Sequence, residues 1–91
     1  MRRYLMEIFL HKEFKKKYKK LRKEERLKFK ERRDLFLKNP LHQILNNHEL
    51  SGKNKKYRSI NITGDLRVIY EPVGKDRVLF ITIDTHSNLY R

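Results

Sequence analysis

The chain has no cysteine in its 91 residues. Disulfide staples, thiolate metal ligands and thiol nucleophiles are therefore excluded. Its four histidines are not set at metal-ligand intervals, and no HExxH or Cys/His pattern occurs. Glycine is scarce, three in all, and forms neither a P-loop nor a GxGxxG turn. No cofactor is implied. No apolar run approaches the roughly 20 residues that span a bilayer. Met1-Arg2-Arg3 begins like a secretion signal. The apolar stretch after it, Tyr4 to Leu10, contains Glu7 and stops at His11-Lys12-Glu13 with no small-residue cleavage site. The expectation is a soluble, cytoplasmic protein with no membrane partner. Repeats, low-complexity tracts and linkers are also missing, so residues 1–91 read as a single domain.

Acidic residues are few: 11 Asp and Glu face 24 Lys and Arg, for a net charge of +13. The excess is uneven. Residues 1–38 hold 16 basic and 6 acidic side chains, while residues 39–91 hold 8 and 5. Such a field draws phosphate backbones, acidic proteins and anionic surfaces. Charge alone does not separate a nucleic-acid binder from a protein with a solvated, Lys-rich helical surface.

Tyr4-Leu5-Met6-Glu7-Ile8-Phe9 is short and rich in aromatic and aliphatic residues, and reads as a strand. His11 to Lys38 is built from Lys, Arg, Glu and Leu, good helix formers. Phe14, Tyr18 and Leu21 share one helical face. The phase is lost near Lys23-Glu24 and resumes through Leu27, Phe29, Leu35 and Phe36, which leaves a helical hairpin or one bent helix open. Asn39-Pro40 ends it. After a polar connector, Ser51-Gly52-Lys53-Asn54 signals a turn. Three strands are expected at Tyr57–Ile62, Leu66–Glu71 and Arg77–Asp84, with turns at Thr63–Asp65 and Pro72–Asp76. The order β-α-α-β-β-β predicts an α+β layer protein, with the first strand joined to the meander and the helices on one face.

The chemistry-bearing residues cluster late in the chain. His86 follows a predicted core strand, and histidine suits proton transfer near neutrality. It could also be an idle loop residue. Arg67 lies in the otherwise apolar run Leu66–Tyr70 and needs a partner, either a carboxylate (Asp65, Asp76 or Asp84) or a substrate phosphate. Lys53, Lys55, Lys56 and Arg58 interleave base with Tyr57, a pattern suited to RNA contact and equally to a solvated turn. His48 lies in the connector. Tyr90 can stack on a base, donate a proton or plug the sheet edge. Asp84, two residues before His86, would hold a charged imidazolium if the side chains met. His11 and His42 have no such context. Two histidines and two arginines suffice for cleaving RNA without a metal: a base for the 2′-hydroxyl, cations for the phosphorane and an acid for the 5′-oxygen. A placed acid or base contributes about 10²–10⁴-fold.

Asn47-His48-Glu49-Leu50-Ser51-Gly52, Tyr57-Arg58, Gly64-Asp65-Leu66-Arg67-Val68-Ile69-Tyr70 and Thr85-His86-Ser87-Asn88-Leu89-Tyr90 together resemble the RelE/ParE superfamily of type II toxins, and most nearly its YafQ-like branch. The resemblance covers nearly the whole chain. It implies a RelE-like microbial-RNase fold and a ribosome-dependent mRNA endonuclease acting in the A site of the 70S ribosome. It also implies neutralisation by a small acidic antitoxin, with a monomer when free and a hetero-oligomer when neutralised. By motif, His48, Asp65, His86 and Tyr90 match YafQ-like active-site positions, and Arg58 and Arg67 match basic positions of RelE. The branch places a histidine at Asn61, a tryptophan at Leu66, an arginine near Thr82 and usually a glycine at Asp84. On this reading Arg67 and Arg58 clamp phosphate, and Arg67 supplies the charge missing near Thr82. The alternatives are a ParE-like gyrase inhibitor, which needs no histidine, and a non-catalytic RNA- or ribosome-binding protein.

Overall fold

The computed structural model describes residues 6–90. Tyr4 and Leu5 of the expected first strand, and the signal-like Met1-Arg2-Arg3, lie outside the described residues. Strand β1 (Glu7–Leu10) leads into helix α1 (Lys12–Lys19) and helix α2 (Lys23–Lys38). The chain therefore makes two helices and not one bent helix. His11 caps α1, with Nδ1 accepting the Glu13 N–H at 3.0 Å. Arg22 is extended, and its N–H donates to Glu25 Oε1 at 2.9 Å. This restarts the helix where the hydrophobic phase breaks. The same Arg22 N–H holds the Glu25 carboxyl below its ordinary value, against the opposing effect of burial.

A single 3₁₀ turn at Gln43–Leu45 is capped by His42, whose Nδ1 accepts the Ile44 N–H at 3.1 Å. His11 and His42 thus serve the backbone. Then follow β2 (His48–Glu49), a 3₁₀ turn at Gly52–Asn54, β3 (Arg58–Asn61), β4 (Leu66–Gly74), β5 (Arg77–Thr85) and α3 (His86–Leu89). The short β2 and the terminal α3 add to the expected order. The hairpin loop is also shorter than Pro72–Asp76: β4 runs on to Gly74, and Lys75-Asp76 make the turn with Asp76 at φ 61. Pro72 is tolerated because β3 pairs with β4 only as far as Tyr70, so the proline's missing N–H faces a free edge.

The sheet order is β1-β5-β4-β3-β2, with β1 parallel to β5 and every other pair antiparallel. Ile60, Leu66, Val68, Tyr70, Phe80 and Ile83 meet Phe14, Phe29 and Phe36 of the helices in one core. Phe80, fully buried, lies with its ring centroid 5.7 Å from Phe14, 5.8 Å from Phe36 and 6.0 Å from Tyr70. Leu27, expected on the apolar face, is instead 56% exposed.

A register shift decides what lies on the opposite face. Ile69 pairs with Thr82 and Tyr70 with Phe80, so Ile81 is an extra residue. The bulge changes strand parity. Phe80 and Ile83 both face the helices, while Thr82 points the other way, as do Ser59, Asn61 and Arg67. Ser59 Oγ, Asn61 Oδ1 and Thr82 Oγ1 are buried there without a hydrogen-bond partner among the described residues. A buried, unpaired polar group costs about 1–3 kcal/mol. Ser59→Ala and Thr82→Val should therefore be neutral or stabilising, by up to about 1 kcal/mol each. Urea unfolding checks this, and a clear loss of stability would show that the hydroxyls have partners.

Candidate active site

Antiparallel register sorts the candidate residues by face. His48 pairs with Ser59 and Asn61 with Arg67, so His48 and Arg67 share the face turned away from the helices. Arg58 pairs with Tyr70, a core residue, and lies on the helix side. An open cleft of about 500 Å³ is lined by Asn46, His48, Glu49, Leu50, Ser51, Arg67, His86 and Tyr90.

His48 stands on β2 with Nδ1 2.8 Å from the Asn46 carbonyl. A carbonyl only accepts, so Nδ1 carries the hydrogen. Nε2 is then the basic nitrogen of the neutral ring. Asn46 presents that carbonyl from a left-handed conformation, φ 46 and ψ 48, which asparagine tolerates better than most residues.

Arg67 Nη1 donates to the carbonyls of Thr63 at 3.1 Å and Gly64 at 3.0 Å. Neither Asp65, Asp76 nor Asp84 forms an ion pair with it among the described residues. The turn holds the guanidinium in place while its charge stays uncompensated, and the remaining donors of the fork are free for an anion.

His86 begins α3, and its N–H donates to the Asp65 carbonyl at 2.8 Å. Its ring packs on Tyr90, one turn later, with centroids 4.7 Å apart and an interplanar angle of 39°. Tyr90 is thus a neighbour of the histidine within the cleft. Asp65 is exposed and does not line the cleft. It touches the site through its backbone, tying the β3–β4 turn to α3.

Two expectations require correction. Arg58 does not join Arg67 in a clamp. Its Nε donates to Asn47 Oδ1 at 2.8 Å, while Asn47 Nδ2 donates to the Tyr70 hydroxyl at 2.8 Å and the Pro40 carbonyl at 2.9 Å. Arg58 instead borders a separate hollow with Pro40, Leu41 and Arg77. Nor does Asp84 meet His86. Asp84 Oδ2 accepts from Lys17 Nζ at 2.6 Å, and Oδ1 accepts from the Thr85 N–H at 2.8 Å and Asn88 Nδ2 at 2.9 Å. Lys53, Lys55 and Lys56 are exposed on the loop just beyond cleft residue Ser51, with Lys56 Nζ 5.2 Å from the Tyr57 ring centroid.

Sequence reasoning missed Lys17 and Asn88. Through Asp84 they tie α1 to α3, the helix that carries His86. Lys17 is one lysine among many in α1, and nothing local marks it. Burial alone would raise the Asp84 carboxyl, but the donors from Lys17, Asn88 and Thr85 outweigh it and hold the group below its ordinary value. The native state thus favours the ionised form. Its contribution is full above the unfolded value, about 3.9, and is lost as pH falls through the lower folded value. Asp84→Asn should cost about 1–2 kcal/mol at neutral pH, discounted for the partly exposed Lys17. The gap to wild type should stay level from pH 7 to pH 5 and narrow below about pH 4. Urea midpoints across that range test the sign, and a gap unchanged at pH 3 would contradict it.

The layout, a five-stranded sheet backed by a helix pair, is that of the RelE-like toxins. The YafQ crystal structure from E. coli strain BL21(DE3) superposes with TM-score 0.78 at 26% identity, covering 94% of this chain and 99% of that one. The YafQ of the E. coli DinJ–YafQ toxin–antitoxin complex gives 0.76 at 26% identity, covering 94% and 98%. The archaeal RelE–RelB complex from Pyrococcus horikoshii OT3 shares the fold, with TM-score 0.70 at 24% identity over 88% and 93%. By sequence, the chain matches no curated protein. The family model for YafQ, a bacterial toxin of type II toxin–antitoxin systems, matches residues 6–91. The chain belongs to that family. No helix among the described residues is long and apolar enough to cross a membrane.

Proposed function

We propose that this toxin is an endoribonuclease that cleaves translated mRNA in the ribosomal A site through side-chain acid–base chemistry. The observation that carries the reading is the gathering of His48 from β2, Arg67 from β4, and His86 and Tyr90 from the α3 segment around one open cleft. His48 Nε2 takes the proton of a 2′-hydroxyl, and that oxygen attacks the adjacent phosphorus. Arg67 offsets the charge growing on the phosphorane oxygens. His86 gives a proton to the departing 5′-oxygen, leaving a 2′,3′-cyclic phosphate and a 5′-hydroxyl. Tyr90 steadies the His86 ring and offers a stacking face to a base. Asp65 sets the position of α3 through its carbonyl. Lys53, Lys55 and Lys56 extend the cleft's positive rim for phosphate contacts.

The basic helices dock on ribosomal RNA, and an acidic antitoxin neutralises the toxin, as the DinJ–YafQ and RelE–RelB complexes suggest by analogy. The protein works in the cytoplasm as a single domain over residues 1–91, monomeric until neutralised. The test is induced expression with mapping of mRNA 5′ ends. In-frame cuts that vanish with Arg67→Gln are expected. Growth arrest with intact mRNA and damaged DNA would overturn the nuclease reading in favour of gyrase inhibition. Tight ribosome binding without any cleavage would leave a non-catalytic binder.

A further inference from the structure

We propose a second phosphate-binding subsite, formed by Lys28 and Arg32 of α2, that holds the RNA backbone beside the cleft; the proposal deepens the nuclease reading and rests on it. The two cations lie four residues apart and so share a helix face. They border a hollow of about 390 Å³ together with Ile44, Asn61, Thr63 and Gly64.

Charge in the hollow is out of balance. Glu31 alone attends both cations, at 3.2 Å from Lys28 Nζ and 4.0 Å from Arg32 Nη1, and its own side chain is 61% exposed. The Arg32 side chain keeps only 18% of its exposure, yet 4.0 Å is beyond hydrogen-bond reach. With its stem packed and its nearest acid outside hydrogen-bond reach, the guanidinium keeps donors that are unused among the described residues. A phosphate can accept from that fork.

Position identifies the anion. Hollow and cleft have no lining residue in common, but the same two segments wall both. Ile44 borders the hollow and Asn46 the cleft. Thr63 and Gly64 border the hollow, and their carbonyls hold the Arg67 of the cleft. A strand whose reacting phosphate sits on Arg67 therefore crosses the β3–β4 turn onto Lys28 and Arg32. Ile44, 45% exposed, offers an apolar face for a ribose or base at that step. A carboxylate-rich peptide would also be attracted, but the shared walls with the Arg67 cleft favour RNA.

The probe is a hexanucleotide RNA carrying 2′-O-methyl groups throughout, so that it binds without being cut. Its affinity is measured against salt for wild type, Lys28→Gln/Arg32→Gln, Lys28→Arg/Arg32→Lys and Arg67→Gln, each checked for an unchanged unfolding midpoint. A matched series replaces one phosphate at a time with a neutral methylphosphonate. The Gln double variant should bind about tenfold more weakly, with a salt slope shallower by about 0.7 per lost contact. The charge-preserving double variant should recover the slope. The Gln double variant should also become insensitive to one methylphosphonate position, adjacent to the one that couples to Arg67→Gln. Unchanged affinity and slope in the Gln double variant, with Arg67→Gln impaired, would overturn the subsite and leave the cleft reading standing. Normal RNA binding with lost affinity for a Glu-rich peptide would assign the hollow to a protein partner and also overturn it. RNA binding unchanged by either Gln substitution would bring down the nuclease reading with it.

Discussion

His86→Gln should lower mRNA cleavage on programmed ribosomes by about 10²–10⁴-fold, the contribution of one placed acid or base, without changing the unfolding midpoint. The exposed ring is not part of the core, and the backbone N–H that bonds the Asp65 carbonyl survives the substitution. Glutamine keeps polar bulk against Tyr90 and removes only the titrating group. His48→Gln, which removes the proposed base, should lower the rate by a similar factor. Single-turnover rates of the two variants decide this. A His86→Gln protein that cleaves within tenfold of wild type would remove His86 from the chemistry.

Phe80→Ala should cost about 3–5 kcal/mol, the largest stability loss of any single core truncation here. Phe80 has no exposed surface and meets aromatic rings from α1, α2 and β4. Its removal opens a void that rings anchored on three different elements cannot all move to fill. Small domains have only about 5–15 kcal/mol in total. At about 4–8 °C per kcal/mol, the midpoint should fall by more than 10 °C. Leu27→Ala, at a position 56% exposed, should change stability by less than about 0.5 kcal/mol. Thermal unfolding of the pair compares core with surface. A midpoint shift under 3 °C for Phe80→Ala would mean that the aromatic cluster is not the centre of the fold.

Much of the site was legible because its signals are local. A histidine after a core strand, an arginine inside an apolar run and the His48 segment each stand out against their own neighbours. Strand alternation put Arg67 opposite Leu66, Val68 and Tyr70, and the structure has it so. The pairing of Arg58 with Arg67 failed for a different reason. Alternation sorts residues within one strand, but which residue of β3 meets Arg67 depends on how the Thr63–Asp65 turn closes. Closing with Asn61 opposite Arg67 sends Arg58 to the other face. The bulge at Ile81 likewise inverts parity midway along β5, and no pattern in Arg77–Thr85 announces it.

The sequence by itself determined the elements: where the helices stop at Asn39-Pro40, that three strands form a meander, and that the basic excess lies on the helices. These follow from backbone preferences and side-chain periodicity, which act over a few residues. Tertiary structure alone decided that β1 runs parallel to β5, that Arg67 is held by turn carbonyls and not by an acid, and that Lys17 secures Asp84 from 67 residues away. Those contacts depend on sheet register and helix docking. Both are set by how the whole core packs, and no short stretch of sequence encodes them.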